Sequence, residues 1–129
     1  MQFAIADDDS DDIELLAEAL KTIQPAAEFV TANTGKQLLF LLPNYRPSVI
    51  FLDINMPEMN GWDCLRMLKS EPVFSDIPVI VYTTSSSGRD FDLARALGAY
   101  RLVTKPDRFA DLLKIMAELI PEIKGNAAC

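Results

Sequence analysis

The chain has no histidine among its 129 residues. Any imidazole base, imidazole metal ligand or phosphohistidine must therefore come from another molecule, and neither a Ser-His-Asp nor a Cys-His nucleophilic site can form within it. Cysteine is scarce as well. Cys64 and Cys129 make no C-x-x-C pair and no zinc spacing, which reads as two reduced thiols in a cytoplasmic protein. Neither G-x-x-x-x-G-K-[ST] nor G-x-G-x-x-G occurs, so no Gly-rich loop is offered to a nucleotide. No apolar run approaches the length of about 18 residues that a membrane span requires, and no charged segment leads a long apolar one at the start. Basic side chains number 12 against 19 acidic ones, a net charge of −7, which argues against nucleic acid or an anionic membrane as the partner. There is no repeat and no linker rich in Pro, Gly or Ser, so residues 1–129 are expected to form a single domain.

What is present is an alternation of short apolar runs with helix-period segments. Strands are expected at 2–6 (QFAIA), 27–32 (AEFVTA), 48–53 (SVIFLD), 77–83 (IPVIVYT) and 100–104 (YRLVT). Between them lie helices: one from Ser10 to the stop at Pro25, one over 34–42 ending at Pro43, and one over 61–70. A fourth runs through Leu97, and a fifth covers 107–123 with Pro121 near its end. Five βα units in succession point to a parallel sheet covered by helices on both faces through right-handed crossovers. In such a sheet the functional crevice lies outside the carboxyl ends of the strands.

The residues that fall there carry chemistry. Strand one ends in Asp7, Asp8 and Asp9, strand three in Asp53, strand four in Thr83 and Thr84, and strand five in Lys105. Carboxylates crowded together raise one another's pKa unless a cation joins them, and carboxylate and carbonyl oxygens suit Mg2+. A carboxylate, a hydroxyl and a lysine around Mg2+ suit phosphoryl transfer, with Asp53 the natural nucleophile at the end of the central strand. Asp9, Asp11 and Asp12 read instead as capping and dipole charges of the helix that begins at Ser10. The same acids fail as a calcium loop: Asp7, Asp9, Asp11 and Glu18 have the spacing, but Asp12 stands where glycine is needed and a strand precedes them.

With IADDDS, FLDINMPEMNGW, IPVIVYTTSS and LGAYRLVTKP in that order, the chain resembles the receiver domains of two-component response regulators, of the stand-alone type, along essentially its whole length. The resemblance implies an α/β, flavodoxin-like (βα)5 fold with strand order 2-1-3-4-5. It implies that Asp53 accepts a phosphoryl group from a phosphohistidine, and that Asp8 binds Mg2+ directly with Asp7 assisting. Asn55 would supply its backbone carbonyl to the metal, Thr83 would hydrogen-bond the phosphoryl group, and Lys105 would pair with it. The partners implied are a sensor histidine kinase or histidine phosphotransfer protein and a downstream protein target, with no enzymatic turnover beyond self-catalysed acceptance and slow loss of the phosphoryl group. The bond between Lys105 and Pro106 is a candidate cis peptide. Leu102 departs from the pattern, since receivers usually carry Tyr or Phe there, and Tyr100, two residues earlier, could be a displaced aromatic. A small phosphatase of the haloacid dehalogenase type and an unphosphorylated receiver-like scaffold are the alternatives. The first would need its D-x-D on strand one, and Asp53 is followed by Asn55 rather than by a second acid.

Overall fold

The computed structural model describes residues 1–127, which leaves Cys129 outside the described residues. The chain alternates strand and helix throughout: β1 (Gln2–Ala6), α1 (Ser10–Ile23), β2 (Glu28–Ala32), α2 (Gly35–Leu41), β3 (Val49–Leu52), α3 (Gly61–Ser70), β4 (Val79–Thr83), α4 (Gly88–Ala96), β5 (Arg101–Thr104) and α5 (Phe109–Ala127). The strands form one parallel sheet in the order β2-β1-β3-β4-β5, as the resemblance implies.

The continuous apolar runs of β3 and β4 follow from burial on both faces, every residue of each being shielded from solvent. Strand alternation divides the core in two. One face packs Ala4, Ala6, Ile50, Leu52, Val79, Val81 and Leu102 against α2, α3 and α4. The other packs Phe3, Ile5, Val49, Phe51, Ile80, Tyr82 and Val103 against α1 and α5. On this second face an aromatic row crosses the sheet. Phe29 stacks on Phe3 at 5.8 Å between ring centroids, Phe3 meets Phe51 at 6.1 Å, and Phe51 meets Tyr82 edge-on at 6.4 Å.

Helix starts are set by caps: Asp9, Thr34, Asn60 and Ser87 each accept a backbone N–H of the first turn with their side chains. Pro43 does not stop the chain abruptly after α2; it enters a 3-10 turn over Leu42–Asn44, where its missing N–H is no loss. Pro121 likewise lies inside α5 rather than near its end. The exposed proline forfeits one helical hydrogen bond, while Ile120 and Ile123 on either side remain buried against the sheet and carry the helix onward. Among the described residues, no helix is long and apolar enough to cross a membrane.

Candidate functional site

The hydrogen-bond ladder continues one residue past several strands, and those extra residues are the acids and the lysine. Asp7 donates its N–H to the Ala32 carbonyl at 3.0 Å, Asp53 to Ala6 at 2.9 Å, and Lys105 to Thr83 at 2.6 Å. Each side chain therefore leaves the sheet from a fixed backbone, at the carboxyl edge where the chain turns into a helix.

There the side chains converge. Lys105 Nζ donates to Asp12 Oδ2 at 2.7 Å and to Asp7 Oδ2 at 2.8 Å, and lies 3.4 Å from Asp53 Oδ2. The other oxygen of Asp53 accepts the Ile54 N–H at 2.8 Å, with the Asn55 N–H at 3.5 Å. Asp7 Oδ1 accepts the Asp9 N–H at 3.0 Å. Carboxylate oxygens of Asp7, Asp8 and Asp53 all fall within 4.8 Å of one another, Asp8 being the exposed member. Burial pushes the Asp7 carboxyl up to about 6, against the pull of the Lys105 hydrogen bond. Burial alone would lower the Lys105 amine, but Asp12, Asp7 and Asp53 outweigh it and hold the amine above its ordinary value.

The lysine is also supported from the side. Its Nζ lies 5.5 Å from the centroid of the Tyr82 ring, the last member of the aromatic row. The Tyr82 hydroxyl, raised to about 12 chiefly by burial, stays a neutral phenol. Thr83 is buried at the end of β4, its hydroxyl accepting the Ser85 N–H at 3.3 Å. Ser85 is held in turn, its carbonyl accepting the Thr104 hydroxyl at 2.8 Å and its hydroxyl lying 2.5 Å from Asp90 Oδ2.

The loop after Asp53 is clamped by close backbone approach. A Cβ on Gly61 would stand 2.2 Å from the Asp53 carbonyl oxygen, and one on Gly35 would stand 2.5 Å from that of Met59. Between them Glu58 and Met59 take positive φ values of 59° and 132°, which L-residues rarely adopt. Both glycines are therefore required by their neighbours.

The structure brings together Asp7, Asp8, Asp53 and Lys105, with Asn55 just beyond Asp53 and Thr83 on the adjoining strand. Asp9 caps α1, accepting from Asp11 N–H at 2.9 Å and Asp12 N–H at 3.3 Å, and Asp11 is exposed in the first turn, as expected. Asp12 is a correction: it is more than a dipole charge, because it makes the shortest contact to Lys105. The signal was present in the periodicity. Asp12 stands four, seven and eight residues before Leu16, Ala19 and Leu20, the buried stripe of α1, and so faces inward. Two further expectations are overturned. Tyr100 is no displaced aromatic: it precedes β5, packs with the α1–α5 layer, and bonds Glu122 and Asn126 of α5 through its hydroxyl at 2.8 Å each, whereas Leu102 packs on the opposite face. The bond between Lys105 and Pro106 is trans, the ordinary preference of about 0.5–1 kcal/mol for an X–Pro bond prevailing there.

A doubly wound sheet of this order, with acids, a buried hydroxyl and one lysine gathered at its carboxyl edge, defines a phosphoacceptor signalling module. Residues 3–117 match the response regulator receiver domain, and the chain belongs to that family, whose members serve two-component signalling. It is 35% identical over 112 residues to a protein-glutamate methylesterase/protein-glutamine glutaminase of Clostridium acetobutylicum, covering 85% of this chain but only 32% of that protein's length. Among solved structures, the phosphorylated cyanobacterial phytochrome response regulator RcpA superposes with a TM-score of 0.84 at 29% identity, over 92% of this chain and 89% of that one. The Mn2+-bound form of response regulator Rcp1 superposes at 0.82 with 28% identity, over 92% and 90%.

Proposed function

We propose that Asp53 is the residue that carries the phosphoryl group, taken from a phosphohistidine of a sensor kinase or histidine phosphotransfer protein. The observation that carries this reading is the geometry of its side chain: one oxygen of Asp53 is fixed by the Ile54 N–H while the other faces the Lys105 amine in a nearly enclosed site. The free oxygen attacks phosphorus, the bond from phosphorus to the donor nitrogen breaks, and the imidazole leaves. Residues 1–129 contain no histidine, so the donor imidazole lies outside them. Lys105 neutralises one phosphoryl oxygen, and the Thr83 hydroxyl, already aligned by Ser85, donates to another.

The carboxylates of Asp7, Asp8 and Asp53 offer hard oxygens close enough together for a small divalent cation that retains waters, so the donor set fits Mg2+. Asn55, two residues beyond Asp53 in the loop, would add its carbonyl. When bound, the ion supplies charge neutralisation at the phosphoryl oxygens. Asp7 already shares its charge with Lys105, and the ion would compete with that amine. The Mn2+-bound form of Rcp1 and the phosphorylated form of RcpA, both similar to this chain, support the reading.

Charging Asp53 alters affinity for a downstream protein through Thr83, its loop and the face built by α4, β5 and α5. Residues 1–129 form a single receiver domain in the cytoplasm, binding neither nucleic acid nor membrane and having no turnover beyond their own phosphorylation and its slow reversal. Incubation with Mg2+ and a small acyl phosphate, followed by peptide mass spectrometry, is expected to place phosphate on Asp53 and to find none on Asp53→Ala. Equal labelling of the two proteins would overturn the assignment.

A further inference from the structure

The amine that should serve Asp53 is bound more closely to other groups. Lys105 Nζ is 2.7 Å from Asp12 and 2.8 Å from Asp7, against 3.4 Å from Asp53. Asp7 leaves the same sheet edge as Asp53, but Asp12 comes from a different element, the first turn of α1, and reaches the lysine from the outer side. Its placement is over-determined: Asp9 caps its backbone N–H, and the helix stripe that continues through Leu16, Ala19 and Leu20 is fully buried. A small cavity of about 60 Å³, lined by Asp12, Tyr82, Lys105, Pro106 and Phe109 among others, leaves the amine space to move.

We propose that Asp12 is a positioning residue that holds the Lys105 amine on the α1 side of the site, and that this hold is released when the amine meets a phosphoryl group on Asp53. The inference rests on Asp53 being the acceptor. A lysine has three donors on a flexible stem and can satisfy Asp7 while exchanging Asp12 for a phosphoryl oxygen. Asp12 thus opposes charging of the acceptor, and α1 is tied to the state of the site through one ion pair. Asp11, one residue earlier and exposed, has the same charge without the contact, which makes it the natural control.

Two measurements test this, one independent of phosphorylation. In the first, the intact protein without divalent cations is treated with a water-soluble succinimidyl ester, and acylation of Lys105 is quantified against exposed Lys114. Asp12→Asn is expected to raise the Lys105 signal by about threefold, and Asp12→Glu to restore protection in part. In the second, phosphorylation by acyl phosphate and Mg2+ is timed. Asp12→Asn is expected to accelerate it by about threefold and Asp11→Asn by much less, while in a Lys105→Ala background Asp12→Asn should change nothing. Unchanged Lys105 acylation overturns the proposal whether or not Asp53 accepts phosphate. Equal acceleration by Asp11→Asn, or acceleration that persists without Lys105, also overturns it, since the effect would then be one of overall charge. Absence of phosphate on Asp53 in every variant would instead defeat the acceptor assignment, and the acylation result would still decide whether Asp12 restrains the amine.

Discussion

Ion pairs of nearly equal length stand at opposite ends of the same sheet. At the amino end, Arg46 before β3 meets Asp76 before β4 at 2.6 Å, with side chains 50% and 73% exposed. At the carboxyl end, Lys105 meets Asp12 at 2.7 Å and Asp7 at 2.8 Å, with the lysine 9% and Asp7 2% exposed. Distance does not separate the two; solvent does. Water screens the first pair and gains little from its formation. Lys105 and Asp7 have surrendered most of their hydration, while Asp12 stays 32% exposed, so removing the lysine leaves buried negative charge uncompensated. The amino end is a surface tie, whereas the carboxyl end holds a mostly buried lysine among acids.

The largest effect should come from Lys105→Met, which keeps side-chain length and removes the charge. Urea denaturation at pH 7 without divalent cations is expected to show a loss of about 3–5 kcal/mol, shrinking toward pH 5 as the stranded acids take up protons. A loss below about 1 kcal/mol would mean that water already reaches the cluster.

A smaller effect concerns Asp7, whose carboxyl is raised from 3.8 to about 6. A raised acid favours folding most below its unfolded value, and that advantage disappears as pH climbs through the folded value. Relative to Asp7→Asn, the wild type should therefore lose stability between pH 4 and pH 6, read as a widening difference in urea midpoint. A flat difference would show that Lys105 fully offsets the burial of Asp7. The smallest effect belongs to Arg46→Ala, for which the urea midpoint should stay within experimental error at low and at high salt alike. A clear shift there would erase the contrast between the two ends.

Much of this architecture was legible in the residues. The apolar runs of β3 and β4 report local requirements, so strand and helix positions agree to within a few residues. Asp53 is readable because a lone charge after a buried strand has few bland explanations, and Lys105 because it falls at the same sheet edge. What escaped depended on how elements meet. Asp12 reads as a helix-start charge because the first turn tolerates any acid; periodicity turns it inward, but its partner Lys105 is distant in sequence. Tyr100 was misplaced because alternation along β5 was extended past the residue where the strand begins, and α5, which holds its hydroxyl, is distant in sequence.

The two glycines flanking the loop after Asp53 have a consequence for how such a chain can change in length. With Gly61 pressed on the Asp53 carbonyl and Gly35 on that of Met59, an insertion between Ile54 and Asn60 has no inward room and must bulge into solvent or unseat the acceptor's own backbone. Gly88, at the start of α4, has open space around it. A lengthened loop should therefore be rejected between Ile54 and Asn60, where the acceptor's own backbone sets the length, while a side chain placed at Gly88 should be accepted without a clash.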